Sequence, residues 1–171
     1  MLPLMWIAKH IIDPTLDLME QHDPGVRSDS ARWLLLGTAL KESDRFRTRR
    51  QYGGGPARSF WQIERPTYDD VMARYFGKNF GMLQMLRWLC GNGTVNVWAS
   101  IAGDGQADND WAACMVARAI YRFRPGALPA PTDAVGMGLH WKKFYNTSAG
   151  KGVPEDFTRI YTDFVLPLIR E

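Results

Sequence analysis

What most constrains this chain is a helical rhythm that recurs from one end to the other with hardly a strand signal between. The last segment carries it most plainly. Pro154 opens a run in which Phe157, Ile160, Tyr161, Phe164, Val165 and Leu168 fall on one face at helical spacing. Asp13-Pro14 reads as an N-cap and a proline at the first helical position, leading into Thr15 to Gln21, with Pro24-Gly25 as the turn that ends it. Asp29 or Ser30 is placed to cap a helix carrying Trp33, Leu36 and Leu40. Thr67-Tyr68-Asp69-Asp70 has capping-box spacing, with Asp where Glu is usual, ahead of Val71, Met72, Tyr75 and Phe76. Met82, Met85, Leu86 and Leu89 form another apolar face, ended by Gly91-Asn92-Gly93. A helix from Asp110 to Phe123 presents Cys114, Ala117 and Tyr121 and stops before Pro125, and Thr132 is placed to cap one reaching Tyr145. Only the stretch 48–64, around Gly53-Gly54-Gly55, leaves room for a small hairpin. The expectation is all-α, or α with a minor β-hairpin: six to eight helices around one core, a single domain over 1–171.

The 171 residues suffice for one domain with a real core, and 46% hydrophobic against 23% charged residues is ordinary for a globular protein. No run approaches the ~18 apolar residues needed to span a membrane. The apolar start, Met1 to Ile12, holds Lys9 and His10 and lacks both a basic leader and a small-residue cleavage site, so it makes a poor signal peptide. Cys90 and Cys114 are accordingly expected as reduced core thiols, and the chain as cytoplasmic when made. The formal charge is +3, but residues 27–65 hold nine basic side chains against four acidic ones, dominated by Arg45-Phe46-Arg47-Thr48-Arg49-Arg50. Such a cluster is either a solvated loop or an electropositive rim around a site for an anionic polymer.

Most chemistries are poorly served. His10, His22 and His140 show no metal-ligand spacing, and Gly53-Gly54-Gly55 lacks the Gly-Lys-Ser/Thr ending of a phosphate loop. Asp104, Asp108 and Asp110 lack the Gly and terminal Glu of an EF-hand and read as a solvated turn. Asn92-Gly93-Thr94 and Asn146-Thr147-Ser148 are formal glycosylation sequons that mean nothing without export. No metal or cofactor is expected. Glu42 stands apart. It lies at i+3 from Ala39 and i+7 from Leu35, on their apolar face and at a helix C-terminus. Desolvation and the helix dipole both raise a carboxyl's pKa there, which suits a general acid, while Lys41 and Arg45 oppose the shift if they point inward.

Downstream, the glycine-rich loop runs through Arg58 into Ser59-Phe60-Trp61-Gln62-Ile63, and Arg65-Pro66-Thr67 then opens a helix. Over about thirty residues this resembles the soluble lytic transglycosylase and goose-type lysozyme superfamily, whose pattern is a helix ending in Glu-Ser, a loop, Gly-Leu-Met-Gln-Ile, and a Pro-x-Thr helix start. The segments Trp141–Thr147 and Gly150–Gly152 resemble phage-encoded members. The resemblance implies a lysozyme-like helical fold acting on peptidoglycan glycan strands. It makes Glu42 the acid that protonates the oxygen between N-acetylmuramic acid and N-acetylglucosamine. Ser43 and Gln62 would line the cleft, Tyr121 would match the tyrosine of a later Ala-Tyr-Asn motif, and Ser59, Trp61 and Glu64 complete the expected substrate contacts.

The sequence departs from the pattern at Ser59 (Gly in the family), Trp61 (Met) and Arg122 (Asn). The alternative is thus an inactive lysozyme-fold structural or virion-associated protein, held among phage particle components; a phage particle or lysis route would equally deliver an active enzyme. A third reading, a basic module binding nucleic acid through residues 41–58, leaves the Gly-rich loop and Gln62 unexplained. Hydrolysis needs a second carboxylate ~5–9.5 Å from the first, for which Glu64 and Asp69 are nearest in sequence. A transglycosylase needs none, because the sugar's own C6 hydroxyl attacks and leaves a 1,6-anhydro end.

Overall fold

The computed structural model describes residues 4–91, 96–103, 109–146 and 150–170, and these form eight helices with no β-strand. Asn92-Gly93-Thr94, Asp104, Asp108 and Thr147-Ser148 lie outside the described residues. Among the described residues no helix is long and apolar enough to cross a membrane.

Helix α1 corrects the first expectation. Asp13-Pro14 does not start a helix; it lies inside one, with α-helical Leu4–Ile7 and Asp13–Glu20 joined by a π-helical turn, Ala8–Ile12. A proline within a helix lacks the N–H for the carbonyl four residues back, and its ring crowds that carbonyl. The π turn absorbs the crowding: the Asp13 N–H donates to Ala8 O, five residues back. His10 O, freed by Pro14, instead accepts the Trp111 indole N–H at 3.0 Å. The same solution recurs in the last helix, α8, where a π turn Tyr161–Val165 joins Pro154–Ile160 to Leu166–Ile169 and precedes Pro167.

Helix α2, Asp29–Glu42, is capped by Ser28 rather than Asp29 or Ser30; the Ser28 hydroxyl accepts from Ala31 N at 3.1 Å. Every residue from Trp33 to Leu40 is buried, so α2 is a central rod and not an amphipathic surface helix. The second rod is α6, Asp110–Arg122, buried continuously from Ala112 to Tyr121 and touching most other elements. Gly37 lets α8 approach α2, since a Cβ there would lie 2.8 Å from the Tyr161 ring and 2.9 Å from that of Phe157. Cys90 and Cys114 are free, buried thiols.

The remaining helices pack around this pair. Helix α3, Arg65–Arg74, starts two residues before the expected capping box; Glu64 is its N-cap, and Asp69 pairs instead with Arg65. Helix α4, Phe80–Leu89, buries Met82 and Leu86 beneath an Asn79 cap, and the short α5, Val97–Ala102, follows an Asn96 cap that sequence periodicity did not mark. Helix α7, Ala134–Trp141, is capped by Asp133 in place of Thr132 and continues as a π turn, Lys142–Asn146. The hairpin expected within 48–64 does not form. Two isolated bridges, Arg50 to Arg58 and Arg58 to Ile63, are all that remains of it, and Gly53 and Gly54 turn the chain at φ 72° and 77°.

Candidate active site

A groove of about 760 Å³ opens at the C-terminal end of α2. Its floor is Lys41 and Glu42. One wall comes from the loop after α2 and the start of α3, with Gln51, Tyr52, Gln62 and Glu64; the other comes from α7 and its π turn, with Trp141, Tyr145 and Asn146.

The chain leaves α2 in an unusual way. Asp44, Arg45 and Phe46 take φ of 49°, 59° and 62°, three successive left-handed residues, a conformation that L side chains resist. Ser43 holds this turn. Its hydroxyl donates to Ala39 O at 2.6 Å and accepts the Phe46 N–H at 2.7 Å. Ser43 is fully buried, so it shapes the helix end and does not line the groove as expected.

Trp61 is likewise a correction. The indole is fully buried and donates to Leu35 O at 3.1 Å, tying the loop to α2 from behind the groove. Ser59 is buried at φ 68°, and its hydroxyl accepts from Trp61 N at 3.2 Å. Tyr121 is buried beneath the site, its hydroxyl 2.8 Å from that of Thr38. These four residues are buried and do not line the groove, and their contacts serve packing and backbone geometry. Gln62 and Glu64 do line the groove; the Gln62 amide donates to Ser59 O at 2.8 Å from a left-handed backbone at φ 46°. Asp69 does not line it, being exposed and paired with Arg65 at 2.8 Å.

Glu42 is the chemical centre. Burial among protein atoms pushes its carboxyl up to about 7 from an ordinary value of 4.5, and the negative charge of Glu64 pushes the same way. Two contacts partly offset this: the Trp141 indole, which donates to Oε1 at 2.9 Å, and the nearby Lys41. The Lys41 ammonium lies 3.5 Å from Asp156 and 5.8 Å from the Trp141 ring centre. Tyr145 donates to Trp61 O at 2.7 Å, and its own hydroxyl is held far from ionisation by burial and then by the Glu42 charge. Near pH 7 the carboxyl therefore carries its proton about half of the time, in a groove lined by amides, phenols and an indole.

The basic run is only partly drawn into the fold, since Arg47 and Arg50 stay exposed. Arg49 grips Asp110 through two bonds of 3.0 and 2.7 Å and covers the Phe60 ring at 3.9 Å, while Arg45 lies over Phe164 and Arg47 pairs with Asp44. Lys41 and Lys151 are the cations that line the groove. Sequence reasoning missed Trp141 as the partner of Glu42, and Tyr145 and Asn146 as lining the same groove. The aromatic richness of 141–145 was visible, but nothing local aims it at a residue about a hundred positions earlier. Compared with known proteins, the chain matches no family model, no curated protein and no solved structure.

Proposed function

We propose that the protein cleaves peptidoglycan glycan strands as a muramidase or lytic transglycosylase, with Glu42 as general acid and then base. The observation that carries this reading is a carboxyl with a pKa of about 7, anchored by one indole N–H at the floor of a groove of about 760 Å³. Such a group is poised near neutral pH, protonated often enough to deliver a proton to a leaving glycosidic oxygen and ionised often enough to take one back. The left-handed backbone of Ser59 also supports the resemblance, because the family places glycine there and a φ of 68° is glycine's conformation. Glu64 lines the same groove and would be the second carboxylate of a hydrolytic route; in the transglycosylase route the substrate's C6 hydroxyl attacks and Glu42 acts alone.

The test is to incubate the purified protein with peptidoglycan and weigh the released muropeptides. Glu42→Gln should lower the rate about 10²–10⁴-fold, and wild-type activity should fall as pH rises through about 7. Anhydro ends assign the transglycosylase route, and reducing ends in products lost with Glu64→Gln assign hydrolysis. Absence of products from every wall type would overturn the proposal.

A further inference from the structure

We propose that Trp141 is the positioning residue of this site, fixing which oxygen of Glu42 carries the transferable proton. The inference rests on the reading of Glu42 as an acid, and it concerns how that acid is held. An indole N–H only donates, so the oxygen that faces it must accept. That oxygen is Oε1, at 2.9 Å. A neutral carboxyl has one accepting oxygen and one hydroxyl, so Trp141 reserves Oε1 and leaves the proton on Oε2, which hydrogen-bonds no described residue.

The indole is itself rigidly held. It is fully buried, stacks on Phe157 at 5.3 Å between centroids, and is closed in by Gly152, where a Cβ would come within 2.5 Å of the ring. A Lys or Arg in its place would donate too, but a full positive charge would stabilise the carboxylate and strip the site of its proton at neutral pH. A neutral, donor-only partner orients the carboxyl at far smaller electrostatic cost. Burial, the stronger influence, then keeps it protonated.

The experiment follows the Glu42 carboxyl carbon by ¹³C NMR through a pH titration and, in parallel, the pH profile of peptidoglycan cleavage. In Trp141→Phe the apparent pKa of Glu42 should rise by about one pH unit, since a hydrogen bond to the ionised form is lost. The alkaline limb of kcat should move by the same amount, and kcat at pH 6 should fall about tenfold with KM changed less than twofold. Benzothienylalanine at position 141 keeps the ring outline and removes only the N–H, so it should reproduce both shifts without disturbing the fold if Trp141→Phe destabilises it. A Glu42 titration unchanged in the folded benzothienylalanine protein would overturn the proposal. The NMR arm needs no turnover, so it judges the role of Trp141 even if the protein proves inert towards peptidoglycan.

Discussion

Glu42 and Asp23 are both part-buried carboxylates, and the fold treats them in opposite ways. Asp23 accepts two bonds from the Arg122 guanidinium, at 2.8 and 2.7 Å, and a third from the Tyr75 hydroxyl at 2.7 Å. Those bonds, with the Arg122 ones strongest, hold its pKa below the ordinary value despite burial. Glu42 receives a single neutral donor and rises to about 7. Shallower burial with charged donors thus yields an ionised clamp between the α1–α2 loop and α6 in one case, and deeper burial with one neutral donor a transferable proton in the other. Depth of burial and the number and charge of the donors together decide between them. A carboxylate meant only for structure is given partners enough to offset its desolvation; Glu42 is denied them.

The contrast is open to attack first through stability. The folded state holds the Glu42 proton more tightly than the unfolded chain does. That contribution is fully present below the unfolded value of 4.5 and lost as pH rises through about 7. Glu42→Gln should therefore be more stable than wild type at pH 8 by up to about 3 kcal/mol, with the gap closing near pH 4. Thermal melts at the two pH values check this, and a mutant no more stable at pH 8 would break the comparison. Asp23→Asn should behave oppositely, losing about 2–3 kcal/mol at pH 7 because charged partners are left short of an acceptor. Its deficit should shrink only as pH falls below 3.8 and through the lowered folded value, which acid denaturation curves would register. The smallest effect belongs to Ser59→Gly. Relief of a left-handed backbone (~1–2 kcal/mol) is set against lost chain entropy and the lost contact to Trp61 N, so urea melts should stay within about 1 kcal/mol of wild type.

The same contrast explains what the sequence made legible. Most helix positions followed from apolar spacing, and Asp110 to Phe123 was placed to within a residue because Cys114, Ala117 and Tyr121 keep helical spacing up to the stop at Pro125. That Glu42, Gln62 and Glu64 share one groove was legible because a helix end and a glycine-rich loop lie close in sequence. Ser43, Ser59, Trp61 and Tyr121 were assigned to substrate because a hydroxyl or an aromatic ring suits a sugar as well as it suits a core. Only burial separates those uses, and burial is a property of the whole packing. Trp141 escaped for the same reason, its meaning resting on a hydrogen bond spanning 99 positions. Pro14 misled because proline's local preference signals a helix start, while the π turn that tolerates it inside a helix leaves no compositional mark.

That π turn also sets the phase of α1. The buried positions 7, 8, 11, 12, 15, 16 and 19 repeat every four residues. In an undistorted α-helix such a stripe would wander around the cylinder by roughly 40° per repeat. The wider turn at Ala8–Ile12 takes up part of the excess and keeps the stripe aimed at α2 and α6. Removing one residue between 8 and 12 would act less as a shortening than as a twist. It would swing the preceding segment by about 100° and carry Ile7 away from the interior.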